Sequence, residues 1–201
     1  MYAASTLAAV LLWRPKALSR VLVVVAVLVA AYPVTRKTHV FPADWLVREV
    51  AGVSLQRAES LDVRFSNEDQ LLNRATERPW FGWGTFGRNR IHASWGQDVS
   101  ITDGEWVIWL GSFGTVGLGC FLSLLLVPIA RFARYSRHLG RREHWAVGAL
   151  AIIVTIFAVD VLPNALTGFL PLAYAGALYT VSERSVRARA KVHRVQARLE
   201  R

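Results

Sequence analysis

From Trp106 to Ala130 the chain runs for 25 residues without a charge, and besides glycines its polar interruptions are only Ser112, Thr115, Ser123 and Cys120. As a helix rising 1.5 Å per residue this is about 37 Å, more than the roughly 30 Å of hydrocarbon in a bilayer. In lipid, every backbone polar group must find a partner inside the segment, so such a run is predicted to be a transmembrane helix.

Other segments fall into the same pattern. Val21–Val34 is apolar throughout, and with Ala17, Leu18 and a snorkelling Arg20 it reaches the roughly 17 to 20 residues a crossing needs. Trp145–Leu162 and Ala165–Val181 form a further pair, separated only by Pro163-Asn164, a turn signal that leaves room for a tight helical hairpin. The expected fold is an all-α polytopic membrane protein with about four transmembrane helices, an N-terminal partial span and one large extracytoplasmic loop. Tyr2–Trp13, about 18 Å as a helix, is too short to cross and reads as the back half of a crossing. Residues 1–31 also fit a cleavable leader ending at Val29-Ala-Ala. The expected organisation is therefore an apolar stub and first span over 1–34, a loop over 35–105, three spans over 106–181 and a basic tail over 182–201.

Charge orients these spans. The formal net charge is +10, yet the cations sit in three blocks: Arg14, Lys16 and Arg20; Arg131, Arg134, Arg137, Arg141 and Arg142; and Arg184 to Arg201. Four crossings put all three blocks on the cytoplasmic side, where short loops carry the Lys and Arg excess. The loop 35–105 falls outside, with nine basic residues against ten acidic ones. The basic balance therefore reports topology in a cytoplasmic (inner) membrane, and no nucleic-acid partner is expected. In the tail, Ala188, Val192, Val195 and Leu199 recur at helical spacing among Arg and Lys, a pattern for a helix lying on an anionic leaflet. Cys120 has no partner for an internal disulfide. No zinc or calcium spacing is present, so neither metal nor cofactor is expected.

The loop is where the chemistry concentrates. Ala43–Leu55 places Trp45, Leu46, Val50 and Val53 at helical spacing, suited to a membrane surface. A second helix is signalled at Ser66-Asn-Glu-Asp69, a near capping box, followed by Leu71, Leu72 and Ala75 and stopped by Pro79. On it Arg74 and Arg78 share a face while Glu77 points elsewhere. Then comes Arg78-Pro-Trp-Phe-Gly-Trp-Gly-Thr-Phe-Gly-Arg88. Its glycines permit positive φ and close backbone approach, and Trp80, Phe81, Trp83 and Phe86 are interfacial residues.

Arg88, Arg90 and Trp95 follow, and Asp103 and Glu105 stand at the mouth of the long span. Arginine suits phosphate because its planar fork is permanently charged and bonds two oxygens at once. Asp103 or Glu105 is suited to accept a proton from an attacking hydroxyl. The plainer alternative is an aromatic belt whose arginines snorkel or pair with carboxylates on a surface loop. Gly111, Gly114 and Gly117, three apart, most simply mean close helix packing. Asp160, near the end of its span, has Asn164 as a ready partner, and His92 is the only imidazole near the presumed site.

Arg64, the Pro79-Trp-Phe-Gly-Trp-Gly84 turn and Thr102-Asp-Gly-Glu-Trp106 with Gly114 and Gly117 together resemble the C-terminal portion of the O-antigen ligase and polymerase family, polytopic glycosyltransferases of the GT-C type. The resemblance covers Arg64 to Arg131, about a third of the chain. Asp103 stands where the ligases of that family carry a histidine, which brings a polymerase, or another polysaccharide glycosyltransferase, closer than a ligase. The resemblance implies a saccharide on undecaprenyl diphosphate as donor, used without nucleotide sugar or metal, and partners among membrane lipids and other polysaccharide-assembly membrane proteins. It implies that Arg64 and Arg88 hold the diphosphate and that Asp103 handles the acceptor hydroxyl. Arg74, Arg78, Trp80, Gly82, Trp83, Gly84, Arg90 and Glu105 are then the expected substrate-binding residues. A non-catalytic accessory or scaffold membrane protein is the competing expectation.

Overall fold

The structure, a computed structural model, describes residues 14–101, 103–136, 139–165 and 168–199, with side chains up to residue 184. Among these residues it is helical: α1 (Pro15–Lys37), α2 (Ala43–Ala51), α3 (Leu55–Thr76), α4 (Glu105–Tyr135), α5 (Arg141–Asp160) and α6 (Leu170–Leu199). Among the described residues, extended pairing is limited to one isolated antiparallel bridge, His92 with Asp98. Three of the described helices, α1, α4 and α5, are long and apolar enough to cross a membrane. Helix α6 is long, but its apolar part runs only from Leu170 to Val181, about 18 Å, before the charges begin. The apolar stub Tyr2–Trp13 lies outside the described residues, as do the side chains of the tail stripe.

The chain divides into two compact units. One takes Met1–Leu28, Ser123–Val159 and Gly168–Arg201; the other takes Val29–Leu122 and Asp160–Thr167. In the first, Leu18, Leu22, Leu125, Ile129, Phe132, Val154 and Leu178 are buried, while Val24, Val27, Leu28, Leu124, Val127 and Ile156 are exposed. Exposed aliphatics on helices that also bury an apolar stripe are the signature of a surface solvated by lipid. Polar groups on these helices are tied internally: the Ser19 and Ser136 hydroxyls share a 2.6 Å hydrogen bond, and Arg131 lies 3.6 Å from Glu183.

The second unit is built differently, from polar helices around the start of α4. Helix α3 begins at Leu55, after Ser54 in extended backbone geometry, and not at Ser66 as the capping-box pattern predicts. No glycine or proline interrupts Leu55–Thr76, so nothing stops the helix from running back through Ser66. The two acidic residues of that pattern are used elsewhere, as partners of Arg36. Helix α2 forms where the periodicity predicts and buries none of its residues.

Helix α4 also departs from expectation, because it is not one unbroken span. Gly114 sits at φ 68°, ψ −167°, a region essentially restricted to glycine, and breaks the helix there. At Asp160, the Asn164 side-chain amide donates to the carboxylate as expected.

Candidate functional site

The glycine and tryptophan run is locked into the α4 break. Opening the helix at Gly114 leaves carbonyls before it and N–H groups after it without helical partners. The turn supplies both. Trp83 and Gly84 donate their backbone N–H groups to the Gly111 and Ser112 carbonyls at 2.8 Å each. In return, Thr115 donates its N–H to the Pro79 carbonyl at 2.8 Å, and its hydroxyl donates to the same oxygen at 3.0 Å. Val116 donates to the Trp80 carbonyl at 3.3 Å. Two glycines face each other across this junction: a β-carbon on Gly82 would overlap the Ser112 backbone, and one on Gly114 would overlap that of Trp80. The close approach expected of Gly111 and Gly114 is therefore real, but its partner is a loop and not another helix. A β-carbon on Gly111 would press on Asn89, which is itself buried.

The loop arginines are mostly engaged near this turn. The Trp83 ring carries two guanidinium groups, Arg74 at 3.5 Å and Arg78 at 4.4 Å from its centroid, and its indole N–H donates to the Arg74 carbonyl at 2.9 Å. Cation–π stacking of this kind holds the end of α3 against the turn. Glu77, expected to point away, instead pairs with Arg74 at 2.7 Å. Arg88 folds back to donate to the Thr85 carbonyl. Arg90 pairs with Asp98 at 2.6 Å, and the Ser100 hydroxyl, together with Arg90, holds the Asp98 carboxyl well below the usual carboxylate range.

A separate cavity of about 240 Å³ lies along the middle of α3, beside the residues that lead into α4. Tyr32, Phe41 and Phe65 supply aromatic walls, and Arg64 and Asp103 supply its charges together with Glu68. Arg64 Nε lies 3.6 Å from Asp103 Oδ2, with both side chains partly exposed. Of the residues predicted for the site, these two alone line the cavity. Arg74, Arg78, Trp80, Gly82, Trp83, Gly84, Arg88 and Arg90 belong to the turn and the loop beyond it. Glu105 is at the start of α4, where Trp109 donates to one of its oxygens at 2.9 Å while the other is buried without a hydrogen-bond partner.

Behind the cavity is a network that the sequence pattern conceals. Glu68 accepts from Arg36 Nε at 2.6 Å, Trp106 Nε1 at 2.9 Å and the Tyr32 hydroxyl at 3.1 Å. Arg36 also reaches Asp69 at 2.8 Å and the Phe65 carbonyl, and lies over the Phe65 ring. Burial pushes the Glu68 carboxyl up from its ordinary value, against the attraction of Arg36. In the sequence Arg36 looks like the flank of a span and Glu68 like a helix cap. Their only signal was a charge in the last turn of an apolar helix, which gives no hint of a partner 32 residues away.

No family model, curated protein or solved structure matches this chain.

Proposed function

We propose that this chain is a membrane glycosyltransferase of bacterial surface-polysaccharide assembly, of polymerase or ligase type, whose donor is a saccharide on undecaprenyl diphosphate. In this reading α1, α4 and α5 cross the cytoplasmic membrane, and the apolar segment Ala165–Val181 makes the fourth crossing. The segment 35–105 is extracytoplasmic and the basic tail cytoplasmic, as the cation blocks require. The observation that carries the reading is the pairing of Arg64 with Asp103 at the rim of a cavity with aromatic walls. It joins a permanent cation and a carboxylate from segments 39 positions apart in the chain.

The chemistry follows from what each group does well. An acceptor hydroxyl attacks the anomeric carbon; the new C–O bond forms as the bond to the diphosphate oxygen breaks, and the diphosphate leaves with the electron pair. Arg64 stabilises that developing charge, and Asp103 takes the hydroxyl proton. At 3.6 Å the resting pair is loose, so an arriving diphosphate competes for the guanidinium and releases the carboxylate for its role as base. Tyr32, Phe41 and Phe65 offer ring faces for a pyranose. The turn residues and Arg88, which the resemblance assigns to substrate, lie away from this cavity and support the lipid-facing side of the protein.

The test is complementation of a strain lacking the chain with Arg64→Ala or Asp103→Asn, followed by profiling of glycan and lipid-linked intermediates. Loss of polymer with accumulation of single lipid-linked repeat units is expected for a polymerase, and accumulation of lipid-linked polymer for a ligase. Full restoration by both variants sinks the catalytic reading. An unchanged glycan profile with loss of a co-purifying membrane protein marks a non-catalytic accessory subunit instead.

A further inference from the structure

Helix α4 crosses a boundary that the apolar run alone does not locate. From the Gly114 break to Ala130 the chain has seventeen uncharged residues, about 25 Å of helix, within the range of a crossing. Nine residues, Glu105 to Phe113, precede the break, and of these Trp106, Val107 and Leu110 are apolar and buried. What buries them is not lipid. Alongside this first part of α4 runs α3: Arg64 meets Asp103, Glu68 bonds Trp106, and at the far end Pro79 bonds Thr115. Away from Asp103, the surface of α3 exposes Gln56, Arg57, Glu59, Asp62, Gln70 and Asn73. Such a face belongs in water, because ionisable groups turned toward hydrocarbon are expensive.

The character of the surface changes at the α4 break. There the turn exposes two large rings, Trp80 at 68% and Phe81 at 77%, and its backbone groups are paired reciprocally with α4. Irregular backbone at the edge of hydrocarbon is tolerated only when its polar groups are satisfied in this way. Immediately on the α3 side of these rings, Arg74 and Arg78 stack on Trp83. Aromatic rings with arginines one layer further out match the hydrocarbon edge and the phosphate layer of a bilayer.

We infer that the outer water–hydrocarbon boundary lies at the Gly114 break, with Trp80 and Phe81 seated in lipid at that level and Arg74 and Arg78 among the lipid phosphates. The partner of this surface is the bilayer. The cavity holding Arg64 and Asp103 then stands on the water side of that boundary, since Asp103 precedes the first residue of α4 and the boundary lies past it at Gly114. The inference does not depend on the glycosyltransferase reading, since it concerns only the depth at which the turn sits.

The native Cys120, exposed on α4 six positions past the break, provides an internal depth marker. The full chain carrying Phe81→Cys in a Cys120→Ser background, and the parent chain with Cys120, are labelled with an environment-sensitive fluorophore. Both are reconstituted into phosphatidylcholine–phosphatidylglycerol vesicles, with Trp80→Cys as a second site should Phe81→Cys fail to fold. Emission is read against nitroxides placed near the carbonyl end or near the methyl end of the acyl chain, and against aqueous iodide. The expected result is that label at position 81 loses more emission to the shallow nitroxide than to the deep one, and that label at Cys120 shows the reverse order. Equal depth for the two labels overturns the inference, as does dominant quenching by iodide. Protection from all three quenchers also overturns it, because a protein then covers the turn.

Discussion

The backbone of Trp80 passes so close to Gly114 that a β-carbon on the glycine would overlap the Trp80 carbonyl group. This contact explains why a helix breaks in the middle of the longest apolar run of the chain. The turn can reach the freed N–H groups of Thr115 and Val116 only if nothing projects from position 114.

Gly114→Ala is therefore expected to cost at least about 2 kcal/mol, since it adds a steric overlap to a backbone region that side chains avoid. Gly119→Ala, whose added carbon meets open space, is the matched control and should be near neutral. Thermal unfolding in detergent checks both. Equal stability of the two variants would mean the break does not hold the turn.

The Arg36–Glu68 pair should behave as a buried couple. The Arg36 side chain is 3% exposed and that of Glu68 11%, so removing only the cation strands a carboxylate; a loss of about 3–5 kcal/mol is expected for Arg36→Met. Arg36→Met with Glu68→Leu should recover much of it. The single variant should also acquire a pH dependence. Burial already raises the Glu68 carboxyl in the folded state, and losing Arg36 raises it further. A folded-state value above the unfolded one means the folded form binds the proton more readily, so stability should rise as pH falls from above neutral toward the ordinary carboxylate range. A melting temperature of Arg36→Met that is flat over that range would contradict this.

Asp98 carries the opposite sign. Held low by the Ser100 hydroxyl and Arg90, it contributes its interactions above the ordinary carboxylate range and loses them only as pH falls through its depressed folded value. Carbon-detected NMR titration should find its midpoint well below that of a free aspartate. Ser100→Ala should move the midpoint up, and Arg90→Gln should do so as well. An ordinary midpoint in the parent protein would show that the Asp98–Ser100 turn is not formed in solution.

Arg64→Ala and Asp103→Asn should separate function from folding. The pair is loose and partly exposed, and such pairs contribute about 0–1 kcal/mol. Both variants should therefore insert and melt like the parent while glycan assembly is lost. A substantial drop in melting temperature for either would assign the pair a structural role.

Much of the helical framework was legible from composition and spacing. The long apolar runs of α1, α4 and α5, the short helix α2 and the turn character of Pro79–Gly84 follow from local properties: uncharged length, apolar period and glycine content. Asp160 was also legible, because its partner Asn164 lies one helical turn away. The start of α3 was not, because a capping-box sequence is identical whether its acids cap a helix or reach another element. Arg74 with Glu77 escaped for a related reason, since a three-residue spacing permits contact without choosing the rotamer that makes it.

By itself the sequence determined that this chain is helical and carries segments long and apolar enough to cross a membrane, because uncharged length and apolar composition are local properties. It also supplied Arg64 and Asp103 as chemically suited to meet an anion and a proton. Only the tertiary structure decided that these two meet while Arg88 and the turn residues lie elsewhere. It alone placed Arg36 on Glu68 and broke α4 at Gly114 to receive Trp83 and Gly84. Those outcomes depend on backbone groups and charges finding partners 28 or more positions away, and no local pattern of side chains encodes which distant partner will satisfy them.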